Sequence, residues 1–592
     1  MKKVILGLIL LHGFGIAHAQ LEEGYWSEAK VNGVLKRTVR LRLQPDLSGL
    51  SEREREALGL ILQVGEIFQG LYEQSRHPKS QQALARLQSI HRRSPSDHSQ
   101  GLLDLFRIFK GPVGTTLRNQ REAFLPVEPP VPGGAVYPWD ISQAELDAFL
   151  QAFPSKKADI LDVRTVVRRS NHGQITWDRK ALIDNPTIRW LHPDEYQELD
   201  AWIDVDEFDE DFYAVPYSVA YAEEMMQAYS LLDQAGRLLK DEDPDFSSYL
   251  RARALGLLTN DYEAGDATWV RGRFKNLNAQ IGSFETYDDN LYGVKSFFSL
   301  SALSVDHERT KNLGSAMKYL PELEESLPYD SQKTVQTDIP IAVYNVVADF
   351  GQSRGTNTAT ILPNDPDHAR KYGRLIMLRA NIMLDPTLFQ NRLTAYKAAV
   401  ITSQEEDLTI DGNFERTLWH EVGHYLGPSK TKDDTLIEEA LADHSNTVEE
   451  LKADLVSLYL VPRLLELGYY DEAQAKSVYA SGLRRTLQKV KPRPDQPYQT
   501  MQLMQQNYML KHGALNLVNG QLKINYDKYH GSVEGMLREV LEIQSSGDRE
   551  RAQSFIDQYA RWDREFHGNL AQRILEASPY RYTLVTYSAL DE

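Results

Sequence analysis

The sequence predicts an α+β protein, with a mixed region first and a mainly helical region after it. Two short runs rich in aliphatic and β-branched residues, 339–347 and 374–378, have the composition of strands. From about residue 411 to residue 575 apolar residues recur at helical spacing, with a break at Lys491–Pro494. At 42% hydrophobic and 25% charged residues, the chain has the composition of a folded globular protein.

The region before the strands contains helical segments separated by a proline-rich loop. Residues 48–75 carry apolar side chains at helical spacing, with Ser51 as the expected N-cap. Prolines and glycines at Leu125–Gly134 would break a helix or a strand, so this segment is expected to be a loop. A second helix is predicted over residues 218–239, with Ser218 as its N-cap.

The motif His-Glu-Val-Gly-His at residues 420–424 is the strongest functional signal in the chain. On a helix, residues four apart lie on the same face, so His420 and His424 can bind one Zn²⁺. The glutamate between them, Glu421, can then act as the general base towards water. The apolar residues around the motif also recur at helical spacing, and Gly427-Pro428 is expected to end the helix.

A zinc site of this type needs a third protein ligand, and the best candidates lie 25 and 26 residues further along. Glu450 and Asp454 are four apart and share one face of a second predicted helix, where a cation would offset their repulsion. Glu449 competes with Glu450 as the ligand, because spacing alone does not separate them. A different interpretation makes Thr447 a helix cap and Glu450 its capping-box partner.

The two motifs together resemble the zinc site of the dipeptidyl peptidase III family of metallopeptidases. That family carries a histidine-glutamate helix followed by a helix with Glu-Glu-x-x-Ala and an acid, as at residues 449–454 here. The resemblance implies one zinc ion per chain and assigns zinc ligands His420, His424 and Glu450, general base Glu421, and the imidazole-orienting carboxylates Glu449 and Asp454.

The resemblance extends beyond the metal motifs, from about residue 40 to near the C-terminus. Segments 261–269, 281–289 and 362–365 are similar to segments of the same family. The resemblance implies that Tyr287 helps to stabilise the transition state, Glu285 binds the substrate amino terminus, and Asn364 holds the peptide backbone.

The family resemblance also implies two lobes around a wide cleft, a helical zinc lobe and a mixed lobe with a β-rich core. The lobes are expected to be discontinuous in sequence. We expect the mixed lobe at residues 20–304, 345–398 and 576–592, and the zinc lobe at residues 305–344 and 399–575.

Two departures from the family pattern mean that the sequence does not determine which peptide bond is cleaved. The two histidines are four apart here, whereas better-known members of the family have them five apart, so the aim of Glu421 and the cleavage register can differ. The further catalytic histidine of the family has no clean match, and His512 and His530 are the candidates. A zinc dipeptidyl peptidase acting on short peptides is the leading hypothesis. The alternatives are an aminopeptidase or oligopeptidase with another register, and a non-catalytic peptide-binding protein.

The N-terminus has the features of a secretory signal peptide. Lys2 and Lys3 are followed by a largely apolar run at residues 4–16 and by Ala-His-Ala at residues 17–19. The run is too short to span a bilayer comfortably. We therefore expect cleavage after residue 19 and export to the periplasm or the extracellular space, without a membrane anchor. The sequence has no cysteine, so stability there cannot depend on disulfides.

The charge of the chain argues against nucleic acid as a partner. The formal net charge is −18, and it becomes about −20 when the two lysines of the signal are removed. An acidic surface repels a polyphosphate backbone. The family resemblance implies short peptides as substrates, and the oligomeric state, monomer or homodimer, is open.

Overall fold

The structure is a computed structural model that describes residues 23–118, 120–330, 332–335, 341–353, 357–492, 497–578 and 580–591. The predicted signal peptide, residues 1–19, lies outside the described residues. So do residues 339–340 of the first predicted strand and residues 493–494 of the predicted break.

The strands form one five-stranded mixed sheet and several two-stranded ribbons. The central sheet has the order β6-β7-β8-β10-β9, in which β8 and β10 are parallel and the other pairs are antiparallel. The strands are β1 (Thr38–Leu43), β2 (Val113–Thr115), β3 (Arg121–Ala123), β4 (Thr165–Arg169), β5 (Phe212–Pro216), β6 (Leu277–Ser283), β7 (Phe298–Val305), β8 (Ile341–Gly351), β9 (Ala359–Leu362), β10 (Leu375–Arg379), β11 (Leu515–Val518), β12 (Gln521–Ile524) and β13 (Tyr582–Tyr587).

Helices surround the sheet and make up most of the chain after it. The helices up to residue 399 are α1 (Glu28–Leu35), α2 (Glu52–Arg76), α3 (Ser80–Arg93), α4 (Asp97–Phe109), α5 (Gln143–Ala152), α6 (Lys157–Ile160), α7 (His172–Asp184), α8 (Pro186–Leu191), α9 (Pro193–Trp202), α10 (Tyr217–Ala220), α11 (Ala222–Leu239), α12 (Pro244–Thr259), α13 (Glu263–Arg271), α14 (His307–Met317), α15 (Leu320–Glu325), α16 (Pro366–Tyr372), α17 (Ala380–Met383) and α18 (Pro386–Ala399). The later helices are α19 (Ile410–Gly423), α20 (Ile437–Leu441), α21 (Ser445–Tyr459), α22 (Val461–Glu466), α23 (Glu472–Thr486), α24 (Pro497–Lys511), α25 (Tyr526–Ser546), α26 (Arg549–Tyr559) and α27 (Asn569–Ala577).

Helix α2 packs across the central sheet, and the prediction of this helix is confirmed. Ser51 caps it in a capping box with Glu54, because each side chain accepts from the other's backbone N–H. Gly65 lets the helix approach the sheet closely, since a Cβ at this position would lie 2.3 Å from the Phe350 ring. The apolar side of α2 thereby joins the core formed by β7 and β8.

Alternate residues of the two parallel strands contribute to different hydrophobic cores. Met377 packs in a core formed mainly by elements before residue 382, while Ile376 and Leu378 pack in a second core that extends to residue 574. Strand β8 does the same, with Tyr344 in the first core and Val343 in the second. The architecture is therefore α+β with two lobes that meet at the central sheet. The predicted strands 339–347 and 374–378 are confirmed where the structure describes them, as β8 and β10.

A wide cleft of about 1450 Å³ lies between elements of the sheet and the later helices. Its lining includes residues of β6, β7 and β9 on one side and of α19, α21 and α23 on the other. The exact lobe boundaries given above stay predictions. The C-terminal strand β13 pairs in parallel with β1, with Tyr582 opposite Thr38. In the described part of the chain, no helix combines the length and apolarity needed to cross a bilayer.

Two sequence predictions differ from the structure. The helix over residues 218–239 is interrupted at Tyr221, whose backbone leaves the helical region, and Ser218 lies inside the short α10 rather than at a cap. Its hydroxyl lies 3.0 Å from Nε2 of His192. The helical run after residue 411 is also interrupted, by the hairpin β11–β12. Its turn is Asn519-Gly520 with φ of 51° and 77°, a two-residue hairpin signal in the sequence that the helical interpretation overlooked.

Candidate metal centre

Helix α19 holds the first histidine of the motif in a buried position. Thr409 caps the helix by accepting from the Gly412 N–H, and Leu418 and Trp419 are buried against the second core. His420 is only 5% exposed. The helix ends at Gly423, earlier than the predicted stop at Gly427-Pro428, because the N–H of His424 turns to the carbonyls of Glu421 and Val422.

Helix α21 crosses α19 at very short range and brings Glu450 to the two histidines. Gly423 makes this approach possible, since a Cβ there would lie 2.9 Å from the Ala453 carbonyl oxygen. The capping-box interpretation is wrong, because α21 begins at Ser445 and Thr447 lies inside it. Glu450 is therefore not required as a helix cap, and its side chain points to the imidazoles.

Three side chains converge on one point at the floor of the cleft. Glu450 Oε2 lies 3.4 Å from Nε2 of His420 and 4.0 Å from Nε2 of His424. Within the described ranges, this trio is the one group of histidine and acidic residues whose ligand atoms, all within 4.8 Å of one another, could hold a metal ion. Oε2 of Glu450 is buried and has no hydrogen-bond partner among the described residues. A buried carboxylate oxygen of this kind fits a cation placed between the three donors.

Carboxylates hold the outer nitrogens of both imidazoles. Asp454 Oδ1 lies 2.7 Å from Nδ1 of His420, and Glu449 Oε1 lies 2.8 Å from Nδ1 of His424. Arg416 donates to Asp454 at 2.6 Å. These contacts fix the ring orientations and leave both Nε2 atoms directed at Glu450.

Electrostatics keep both outer carboxylates ionised, although Asp454 is buried and Glu449 is half-buried. Burial alone would raise the pKa of Asp454, but Arg416, Arg485 and His420 hold that pKa far below its usual value. Burial likewise opposes ionisation of Glu449, and Lys452 and His424 hold its pKa well below the usual range. Two negative charges are thus maintained behind the imidazoles, which increases their basicity towards a metal.

Lys452 ties the end of α19 to the carboxylates of α21. Its buried Nζ donates to the carbonyls of Gly423 and Leu426, at 2.8 Å each, and lies 2.8 Å from Oε1 of Glu449. All three donors of the ammonium group are therefore used. This role was not predicted, because the two carbonyls that Lys452 binds lie at the end of α19 and just beyond it, far from Lys452 in sequence.

Lys452→Met is expected to lower the free energy of unfolding by about 3 kcal/mol. The change leaves two buried carbonyls without a donor and Glu449 without its cation. Urea unfolding of the parent and the variant measures the effect. Lys430→Met removes an exposed lysine paired with Asp434 and is the matched control, with an expected change below about 0.5 kcal/mol. Equal losses in both variants would contradict this role of Lys452.

The wall of the cleft opposite the metal candidates carries the other predicted site residues. Glu285, Tyr287 and Asn364 all line it. The Tyr287 ring is 56% exposed there, and Asn364 donates to the Phe284 carbonyl at 2.8 Å. Burial raises the pKa of Glu285, with no resolved contribution from a charged neighbour in the described residues. A half-buried carboxyl group of this kind favours a cationic ligand.

Comparison with known proteins identifies the fold. No protein-family model matches the chain. It is similar to Nudix hydrolase 3 of Arabidopsis thaliana, with 25% identity over 565 residues that cover 89% of this chain and 70% of that protein. The structure of DPP III from Caldithrix abyssi superposes with a TM-score of 0.78 at 23% identity, covering 94% of this chain and 98% of that one. The chain has the dipeptidyl peptidase III fold.

A second structure of dipeptidyl-peptidase III, from Corallococcus sp. strain EGB, has the same fold. It superposes with a TM-score of 0.71 at 24% identity and covers 92% of this chain and 94% of that one. The dipeptidyl peptidase III fold thus extends over nearly all of the chain. This agrees with the predicted fold class, two lobes around a wide cleft.

The two histidines proposed from sequence as further catalytic residues do not line the cleft of this dipeptidyl peptidase III fold. His512 is exposed and stacks on Tyr508, with ring centroids 4.1 Å apart. His530 stacks on Tyr459 with centroids 5.3 Å apart, and burial lowers its pKa. Both rings have the surroundings of structural histidines.

Other cleft residues of the dipeptidyl peptidase III fold were not identified from the sequence. Tyr498, at the start of α24, lines the cleft beside Glu450, and burial and this carboxylate raise the pKa of the phenol. Four arginines also line the cleft, namely Arg392, Arg416, Arg484 and Arg485. The Arg484-Arg485 pair was visible in the sequence, but its position beside the metal candidates depends on the packing of α23 against α19.

Glu415 lies on the metal helix and gives it a pH-dependent stability. Burial raises the pKa of Glu415 to about 7, although Tyr469 donates to its carboxyl group at 3.1 Å. The unfolded value is near 4.3. The stability contributed by protonated Glu415 is therefore complete below about pH 4.5 and is lost as the pH rises through 7.

Glu415→Gln should remove this pH dependence, because the amide stays neutral. The variant is expected to exceed the parent by about 1 kcal/mol at pH 5 and by about 3–4 kcal/mol at pH 8. Urea midpoints measured in EDTA at both pH values test this. A difference between variant and parent that stays constant with pH would contradict it.

Proposed function

We propose that this protein is a zinc peptidase that hydrolyses short peptides in the cleft, releasing dipeptides from the amino terminus. The observation that carries the proposal is the buried, unpartnered Oε2 of Glu450, which faces the Nε2 atoms of His420 and His424. These atoms would be the three zinc ligands. Two nitrogen donors and one oxygen donor are a common ligand set of catalytic zinc.

Bound zinc would polarise the scissile carbonyl group and lower the pKa of water in the site. Glu421 would take a proton from the attacking water and deliver it to the departing amine, so that the peptide bond breaks with no net change in protonation of the protein. Its position supports this role, because Glu421 lines the cleft together with the proposed ligands His420, His424 and Glu450. Asp454 and Glu449 would hold the ligand imidazoles in place.

The opposite wall would bind the substrate and set the cleavage register. Tyr287 would donate its hydroxyl proton in a hydrogen bond to the oxyanion that develops in the transition state. Glu285 would bind the substrate ammonium group, a role supported by a pKa that burial raises without a compensating cation. Asn364 would hold the peptide backbone. When the amino terminus is bound at a fixed place, the bond that is cut lies a fixed number of residues from that terminus.

The names of the similar structures support the same reaction. Both superposed structures are of dipeptidyl peptidases III. An aminopeptidase or oligopeptidase would use the same metal chemistry with another register, and a peptide-binding protein would need no Glu421 beside the ligands. We expect one zinc ion per chain, and short peptides as substrates.

The test is product analysis with matched peptides. The zinc-loaded protein is incubated with a hexapeptide that has a free amino terminus and with its N-acetylated form, and fragments are identified by mass. Release of the N-terminal dipeptide from the free peptide alone supports the proposal. Internal cleavage of the acetylated peptide would support an oligopeptidase, single-residue release an aminopeptidase, and no cleavage a binding protein.

We also propose that the protein is exported. The support is the basic, apolar and small-residue pattern of residues 1–19. N-terminal sequencing of protein expressed from the full chain in a bacterial host is expected to begin at Gln20. A cytoplasmic product that retains Met1 or Lys2 would contradict export.

A further inference from the structure

Four arginines form one wall of the cleft next to the proposed zinc ligands. The arginine cluster consists of Arg392 on α18, Arg416 on α19, and Arg484 and Arg485 on α23. Arg416 lies one helical turn before His420, a spacing at which side chains are neighbours on one face. Arg416 is therefore a neighbour of a proposed zinc ligand, and the other three arginines line the same cleft.

The carboxylate in direct contact with the cluster neutralises part of its positive charge, while Asp385 and Glu421 act on Arg392 and Arg416 from a longer distance. Asp454 pairs with Arg416 at 2.6 Å and lies 3.6 Å from Nε of Arg485, and it also contacts His420. Among the described residues, Arg392 and Arg484 have no carboxylate within 4.0 Å. Like charges held together in this way are costly unless an anion joins them.

Burial makes the guanidinium N–H groups that have no hydrogen-bond partner better suited to an anion than to water. The Nε atoms of Arg416 and Arg484 are buried without a hydrogen-bond partner in the described chain. Burial, and then the neighbouring arginines, lower the pKa of Arg392 and Arg484. Planar guanidinium groups bind carboxylates with two parallel hydrogen bonds, and such bonds are stronger away from water.

We propose that the arginine cluster binds a carboxylate of the peptide substrate on the carboxyl side of the scissile bond. This inference rests on the proposed function and adds a substrate class to it. Glu285 on the opposite wall would bind the amino end of the peptide. The arginine cluster, which is cationic, would therefore bind the part of the peptide on the carboxyl side of the scissile bond. The carboxylate is either the terminal carboxylate of a tri- or tetrapeptide or the side chain of an Asp or Glu just after the cut.

The experiment measures binding without hydrolysis, in the zinc-loaded Glu421→Ala protein. Three probes are titrated by calorimetry: tetra-alanine with a free carboxyl terminus, the same peptide as its C-terminal amide, and Ala-Ala-Glu-Ala amide. The two cluster variants, Arg392→Gln and Arg484→Gln, involve arginines without an ion pair, so Asp454 keeps its partners. Arg538→Gln, which removes an exposed arginine paired with Glu534, is the control. Equal zinc content and equal melting temperatures show that the variants are folded.

At least one carboxylate probe is expected to bind about 10–100-fold more tightly than the neutral amide. This preference should fall below about threefold in both cluster variants and persist in Arg538→Gln. A preference for the free acid identifies the terminal carboxylate as the ligand, and one for the glutamate probe identifies a side chain.

Two results would overturn the inference. One is equal or undetectable binding of the three probes, and the other is a preference that survives in both cluster variants. The outcome is separate from that of the proposed function. A parent protein that hydrolyses nothing, but prefers the acid through Arg484, loses the peptidase assignment and keeps the carboxylate site. A parent that releases dipeptides without any carboxylate preference keeps the peptidase assignment and loses the carboxylate site.

Discussion

Glu421→Ala is expected to lower kcat for peptide hydrolysis by about 10³-fold or more and to leave zinc bound. General-base catalysis by a positioned carboxylate contributes about 10²–10⁴-fold, and the same side chain would also protonate the leaving amine. Glu421 is not one of the three residues whose ligand atoms converge, so its substitution leaves the metal donors intact. Steady-state rates and metal analysis of the same preparation measure both effects.

The control for Glu421→Ala is Glu439→Ala, which removes an exposed carboxylate at the rim of the same cleft. Its kcat is expected to stay within about threefold of the parent's, since only screened, long-range electrostatics change. If Glu421→Ala retained the parent's rate, another group would have to be the base. The mechanism given above would then be wrong.

His424→Ala is expected to remove both zinc and activity. Without this imidazole, His420 and Glu450 are the remaining zinc donors. Two protein ligands are too few to retain catalytic zinc during dialysis. Glu449 also loses its contact with His424 and keeps Lys452 and Gln544 as its partners among the described residues. Zinc content after dialysis and the rate of peptide hydrolysis measure the two losses.

His512→Ala is the matched control for His424→Ala. The His512 ring is exposed, stacks on Tyr508 and lies outside the cleft lining. Zinc content and rate are expected to be those of the parent. A zinc-free, inactive His512→Ala protein would mean that this ring assists catalysis after all. A His424→Ala protein that retains zinc would remove the second histidine from the site.

Elements with strong local signals were predictable from the sequence, whereas their contacts were not. Helix α2 follows from its apolar spacing and serine cap, and β8 and β10 from their aliphatic composition. The hairpin β11–β12 was missed although Asn519-Gly520 marks its turn, because the surrounding helical pattern dominated the interpretation. The break at Tyr221 has no local signal, since the residues on both sides favour a helix.

Some residues of the candidate site could likewise be predicted from the sequence, and others could not. Spacing along the chain brought His420, His424 and an acid from the Glu449-Glu450 pair together as candidates. The choice within that pair needed the crossing of α19 and α21, which turns Glu450 inward and puts Glu449 behind His424. Lys452 binds backbone carbonyls near the end of α19, and the arginine cluster combines side chains of three helices. Periodicity along the chain predicts neither arrangement.

The measurement that tests the central claim most directly is the zinc stoichiometry of the parent beside Glu450→Ala and Glu449→Ala. After dialysis against a weak chelator, we predict one zinc ion per chain in the parent and essentially none in Glu450→Ala. Glu449→Ala should bind zinc about 10–100-fold more weakly, because it only orients His424. A parent that takes up no zinc, or a Glu450→Ala protein that binds zinc as tightly as the parent, would contradict the account.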